Sequence, residues 1–184
     1  AAEEILSKAE LAGSKKAKAL TGDKLKVLLA AMQSVAIPAP PTSQCLSPIG
    51  EELIRKSLDK ESQLDFVKAK TRPPSVYSGH PFVVEAAIGY GGRLASEEKA
   101  IILRFANRVP LMYQQGACAI TQAIAGVNWR NYGISQDGLP VGPALILLHV
   151  AATNVPFTSE SKDAIAAIPE IEKEIDLALK DLGR

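Results

Sequence analysis

Cysteine is scarce in this chain of 184 residues: Cys45 and Cys118 are the only two, and they lie far apart. Neither has a second thiol nearby in sequence, which fits a reducing interior, where both simply pack, better than a disulfide framework. An excess of one charge sign is missing as well. Lys and Arg number 21 against 20 Asp and Glu, a net charge of +1. Any nucleic-acid contact must therefore come from local basic clusters, because no overall field is available. No apolar run approaches the roughly 20 residues that span a bilayer, and the first residues lack a basic start and an apolar signal core. Membrane insertion and secretion are accordingly not expected. Histidine is limited to His80 and His149, without a carboxylate or cysteine at metal-ligand spacing, so no metal is assigned. The opening Ala1-Ala2-Glu3 has no initiator methionine, as expected of a segment taken from a longer protein.

What is present is a 47% hydrophobic composition, enough to bury the core of one domain plus a small appendage. Ile5, Leu6 and Ala9, then Leu25, Leu28, Leu29 and Met32, recur at helical spacing. They predict two short helices joined by a lysine-rich connection from Ala12 to Thr21. Pro38, Pro40 and Pro41 cannot continue a helix, which puts a domain boundary there: a helical unit at 1–38 and a second domain at 39–184.

The second domain reads as mixed α and β. Ile49, Leu53, Ile54 and Leu58 mark an amphipathic helix, and Pro73-Pro74 break the chain after it. Phe82, Val84, Ala86, Ile88 and Tyr90 alternate as a strand, Gly91-Gly92 supply a turn, and Ile101, Leu103 and Phe105 alternate again. The two strands are expected to form a hairpin. A helix is expected from about Ala117 to Val127. The apolar run Ala144 to Val150 suits a strand covered on both faces, at the centre of the sheet. Ile168, Ile171, Ile175, Ala178 and Leu182 form one stripe of a closing helix that begins near Pro169. Glu85 interrupts an apolar strand; it could be functional, and a solvent-facing or paired position is the simpler account. Gly89-Tyr90-Gly91-Gly92 lacks the lysine and helix of a phosphate loop and reads as a turn.

Three groups could carry chemistry. Lys162 lies on a polar loop between the apolar strand and the last helix, where a long side chain can swing a cation towards a phosphate; by pattern alone it is also an ordinary surface lysine beside Asp163. In Trp129-Arg130-Asn131-Tyr132, aromatics bracket a cation and could lie along a sugar-phosphate backbone. Spacing alone makes Trp129 and Tyr132 a core or sheet-edge pair. Lys15, Lys16 and Lys18 could neutralise phosphates without reading bases, or form a solvated turn.

Four strings go further: Leu46-Ser47-Pro48-Ile49-Gly50-Glu51-Glu52-Leu53-Ile54, Tyr77-Ser78-Gly79-His80-Pro81-Phe82-Val83-Val84-Glu85-Ala86, Leu103-Arg104-Phe105-Ala106-Asn107-Arg108-Val109-Pro110-Leu111, and Thr153-Asn154-Val155-Pro156-Phe157-Thr158-Ser159-Glu160-Ser161-Lys162. In these strings, and in this order, the chain resembles the B subunits of type IIB DNA topoisomerases, the topoisomerase VI family. Leu11-Ala12-Gly13, the lysine-rich turn and Leu20-Thr21 resemble that family's helix-two-turn-helix unit, although Lys24 stands where a capping-box glutamate would be.

The resemblance implies an α+β fold: a small all-helical helix-two-turn-helix unit, then a transducer domain of the GHKL family. That domain would have a mainly antiparallel sheet with helices on one face and a long C-terminal helix. It implies a Bergerat-type ATPase domain upstream, holding ATP and Mg2+, so that this chain by itself neither hydrolyses ATP nor cuts DNA. It makes Lys162 the switch lysine that contacts the terminal phosphate. Trp129-Arg130-Asn131-Tyr132 would be the family's Trp-Lys-x-Tyr DNA-contacting motif, with arginine at the lysine position. The implied partners are the DNA-cleaving A subunit reached through the last helix, duplex DNA, and a second B subunit when ATP binds. The implied location is archaeal cytoplasm, or the nucleus of a plant-type eukaryote. The competing expectation is an RNA-binding, ribosome-associated module, since both folds recur in ribosomal proteins.

Overall fold

The computed structural model describes residues 2–35 and 44–183. It divides into two compact units, Ala1–Pro40 and Pro41–Arg184. The proline cluster read as a domain boundary lies outside the described residues.

The first unit has helix α1 (Ala2–Lys8), a 3-10 turn at Ala17–Ala19 and helix α2 (Gly22–Ser34). The helices pack on each other and bury little: Ala9, Ala31 and Val35 are inside, whereas Leu25, Leu29 and Met32 stay about half exposed. Thr21 precedes α2 without a side-chain capping bond. With Lys24 at the third helical position there is no carboxylate to complete a capping box, so the orphan amides of the first turn gain nothing from it.

In the second unit, α3 (Glu51–Ser62) leads to β1 (Phe66–Thr71), β2 (Ser75–Tyr77) and the long β3 (His80–Tyr90). Then come β4 (Ile101–Ala106), β5 (Val109–Pro110), α4 (Ala119–Gly126) and a 3-10 turn at Trp129–Tyr132. The small ribbon β6 (Ser135–Asp137) and β7 (Leu139–Val141) precedes β8 (Ala144–Ala152) and α5 (Pro169–Gly183).

The main sheet runs β1-β3-β8-β4-β5, with β2 also on β3. All its ladders are antiparallel except β4 with β8. The expected β3–β4 hairpin does not form. All nine residues of β8 are buried, so it takes the centre and separates β3 from β4. Gly91 and Gly92 do turn the chain, at φ of 79° and 62°. A Cβ on Gly92 would fall 2.1 Å from the Gln63 carbonyl oxygen, so a side chain is excluded there.

Helices cover both faces of the sheet, which corrects the expectation of one. Alternate residues of β3 and β8 divide between two cores. Phe82, Val84, Ala86, Ile88, Ile146, Leu148 and Val150 pack with α4 and with Ile171, Ile175, Ala178, Leu179 and Leu182 of α5. Ala87, Leu145 and Leu147 face the other way, onto Ile54 and Leu58 of α3. The stripe expected on the last helix is the face it buries.

Candidate functional site at one end of the sheet

The four strings that carry the resemblance meet where β3 begins and where β4 and β8 end. Two tight turns shape this end. Ser78 and Gly79 join β2 to β3 at φ of 46° and 80°, and Asn107 and Arg108 join β4 to β5 at φ of 45° and 67°. Both centres are left-handed, the geometry that suits the twist of a two-residue hairpin. The Asn107 amide exchanges two hydrogen bonds with the Ala152 backbone, at 3.0 and 2.9 Å. Arg108 donates to the carbonyls of Ser47 and Pro48 at 3.2 and 2.8 Å. The Tyr77 hydroxyl donates to the Asn154 carbonyl, and the Thr153 amide donates to the Pro81 carbonyl at 3.2 Å.

Beneath these turns lies a buried polar centre. Glu85 and His149 are paired residues of β3 and β8, both fully enclosed, with Nδ1 2.7 Å from Oε2. His149 Nε2 accepts the Arg108 amide at 3.0 Å, which leaves the ring proton on Nδ1, directed at the carboxylate. Glu85 also accepts the amides of Ile49 and Gly50 at 2.6 and 2.7 Å and the Thr71 hydroxyl at 2.9 Å. Burial pushes this carboxyl up. The bonds from His149, Ile49, Gly50 and Thr71 together outweigh it and hold the carboxyl below the ordinary range. One carboxylate thus fixes the start of α3, the edge of β1 and, through His149, the Asn107–Arg108 turn. Glu85 is therefore paired and not solvent-facing. The usable sequence signal was one polar residue in each of two apolar strands, Val-Val-Glu-Ala-Ala and Leu-Leu-His-Val-Ala.

Lys162 crowns the loop from Thr153 to Ile168 at the same end. Phe157 bridges to Ile165, and the Thr158 amide donates to the Ala164 carbonyl at 2.9 Å, closing the loop's neck. Ala164 and Ile165 are wholly buried, and the Ile165 carbonyl accepts the Ala119 amide at the start of α4 at 2.9 Å. The Ile165 amide in turn donates to Cys118 Sγ at 3.5 Å. On this anchored base the tip is exposed, and Lys162 sits there at φ 59°, a left-handed conformation uncommon for a lysine. Among the described residues its ammonium has no ion pair.

The second candidate divides. Trp129 is wholly buried, with its indole N–H donated to the Ile124 carbonyl at 2.8 Å, so it cannot lie along a sugar-phosphate backbone. That corrects its assignment as a DNA contact: the ring is a core anchor beside α4 and α5. Tyr132 packs edge-on against it and is partly covered. Arg130, between them, is exposed. In the first unit Lys15, Lys16 and Lys18 are all exposed. The Lys15 ammonium is held below its ordinary value by the neighbouring Lys24 ammonium.

Residues 41–184 match the family model for the transducer of the topoisomerase VI B subunit. The chain belongs to that family. It is 57% identical over its whole length to the B subunit of type 2 DNA topoisomerase 6 from Methanococcoides burtonii, and spans 30% of that protein. The corresponding proteins of Methanosarcina mazei and Archaeoglobus fulgidus are 55% and 51% identical, again over all of this chain and 30% of theirs. The chain therefore spans under a third of the relatives' length. Membership in this topoisomerase family leaves the ribosome-associated alternative without support. No helix among the described residues is long and apolar enough to cross a membrane.

Proposed function

We propose that this chain is the nucleotide-sensing, force-relaying part of the ATPase subunit of an ATP-dependent type IIB topoisomerase, which relaxes or decatenates duplexes by strand passage in archaeal cytoplasm. Residues 1–38 serve as its helix-two-turn-helix domain and 39–184 as its transducer. The observation that carries this reading is Lys162: an exposed ammonium, in a costly backbone conformation, on a loop whose base is pinned into the core. Non-glycine residues in the left-handed region cost on the order of 1–3 kcal/mol and persist where the surroundings impose them, as they do at many functional sites.

ATP with Mg2+, held by an ATPase domain that precedes this region in the full-length subunit, supplies a terminal phosphate whose charge changes on hydrolysis. Lys162 contacts that phosphate before hydrolysis and loses the contact after it. Such differential binding is what a ligand needs to shift a conformational equilibrium. The loop base connects through Ile165 to α4 and so to the core under α5. Arg72 ties α5 to the sheet by ion pairs with Glu174 at 3.0 Å and Asp181 at 2.9 Å, which suits that helix to move as a rigid lever towards the DNA-cleaving A subunit. Closure of two B subunits on ATP completes the cycle. Arg130, Lys15, Lys16 and Lys18 hold duplex DNA through its phosphates; two ammonium groups as close as Lys15 and Lys24 gain from an anion between them. By itself the chain neither hydrolyses ATP nor cleaves DNA.

The test is the full-length protein, assembled with its A subunit, carrying Lys162→Ala. ATP turnover and supercoil relaxation should both fall at least tenfold. Wild-type rates in both assays would remove the switch assignment.

A further inference from the structure

We propose that the outer edge of β1 is a docking site for an extended polypeptide strand of a partner protein, one that carries carboxylates at alternate positions. Strand β1 ends the sheet order, so among the described residues only β3 pairs with it. The phase of that ladder decides which backbone groups remain. Arg72 donates its amide to Val84 at 2.8 Å, continuing the register that sets Lys70 against Ala86 and Lys68 against Ile88. Bonded pairs alternate in an antiparallel ladder. The even-numbered residues therefore bond to β3, and the N–H and C=O groups of Val67, Ala69 and Thr71 point to the open side.

The chain itself shows what this edge attracts. The Thr71 amide takes an acceptor from within the chain across the edge, the Glu51 carboxylate at 2.7 Å. Beyond that cap, the amides and carbonyls of Val67 and Ala69 lie beside a cleft of about 310 Å³ lined by Glu51, Glu52, Arg55, Val67, Lys68 and Ala69. Paired donors and acceptors at two-residue spacing are satisfied by one class of ligand, another extended backbone.

Side chains select which backbone. Val67 and Ala69 turn towards the core under α3, so the incoming residues opposite them meet these two apolar side chains beside Glu51, Glu52 and Arg55 of the helix. Lys68 and Lys70 alternate with them along the edge; Lys68 also borders the cleft, and the Lys70 ammonium lies 3.5 Å from the Glu51 carboxylate, so this edge already holds one carboxylate beside a lysine. A second copy is disfavoured, because antiparallel self-pairing sets Lys68 against Lys68 or against Lys70. Lysines on an edge deter pairing with like edges. They do not deter a strand whose residues opposite them are Asp or Glu, and the same charges then choose the partner.

The probe is a fluorescein-labelled peptide, Thr-Glu-Val-Glu-Val-Thr, titrated with the 184-residue chain and followed by anisotropy. Its glutamates should lie opposite the lysines and its valines opposite Val67 and Ala69, where they make the backbone bonds. Saturable binding is expected. N-methylation of both valine amides should weaken it at least tenfold, whereas N-methylation of both glutamate amides should change it less than twofold. Lys68→Glu with Lys70→Glu should abolish binding of this peptide and create binding of its lysine counterpart. No saturable binding overturns the proposal. So does binding indifferent to which amides are methylated, because that is plain charge attraction. Sedimentation showing a dimer that the Lys68→Glu, Lys70→Glu variant loses would assign the edge to a second copy and also overturn it.

Discussion

The loop of Lys162 and the turn of Trp129 are both strings that resemble family motifs, yet the fold treats them in opposite ways. In the loop, the residue that resembles the functional one is exposed at the tip, while Ala164 and Ile165 hold the base in the core. In the turn, the most conspicuous residue is the anchor: Trp129 is enclosed, and the cation Arg130 reaches solvent. Each motif needs one part that presents charge and one that fixes where the charge is presented. A side chain's chemistry does not tell which part it plays; its burial does.

Substitutions can break this comparison, and Trp129→Ala should have the largest effect. Removing a buried tryptophan costs about 3–5 kcal/mol, read as a lower midpoint in urea denaturation. Arg130→Ala should change stability by no more than about 0.5 kcal/mol and so barely move that midpoint, since exposed substitutions usually stay in that range. If both variants were equally mild, Trp129 would not be an anchor.

Glu85→Gln comes next. It removes the charge from four hydrogen bonds at the buried centre and should cost about 1.5–3 kcal/mol, the range for a bond to a charged group. The same group sets an acid limit. Its carboxyl is held below the ordinary value of 4.5, so the stability it contributes is fully present above that value. That contribution declines as pH falls below 4.5 and through the lower folded value, because the unfolded chain binds the proton first. Glu85→Gln should flatten this part of the stability curve. An acid limb identical in the two proteins would show that the centre does not titrate as described.

A smaller effect concerns DNA. Duplex affinity of the 184-residue chain should fall with salt, and each phosphate contact removed should lower the slope of log affinity against log salt by about 1. Arg130→Ala, Lys15→Ala and Lys16→Ala should each do so, whereas Trp129→Phe should not. An unchanged slope in the first three would confine DNA contact to other residues.

Much of the architecture was legible in residue pattern. The 3.6-residue stripe of α5 and the nearly continuous apolar run of β8, broken only at His149, each state their burial directly. The β3–β4 hairpin failed because period-2 alternation shows that a segment is a strand but not which strand lies beside it; β8, distant in sequence, won the central place by being apolar on both faces. The second helix-covered face was hidden for a related reason, since alternate small residues such as Ala87 look neutral until a helix packs on them. At the site, Lys162 could be found only through the family resemblance, because one loop lysine resembles any other. Pattern alone leaves Glu85 and His149 as separate residues: they are 64 positions apart, and only the register of β3 on β8 joins them.

In the proposed function, one exposed ammonium turns the presence of a terminal phosphate into closure of two B subunits. Sedimentation of the full-length protein with a non-hydrolysable ATP analogue tests it directly, comparing Lys162→Ala with the unaltered protein. The variant should keep its melting temperature and still bind the analogue, but need at least tenfold more of it to dimerise. Dimerisation at the unaltered protein's analogue concentration would contradict it.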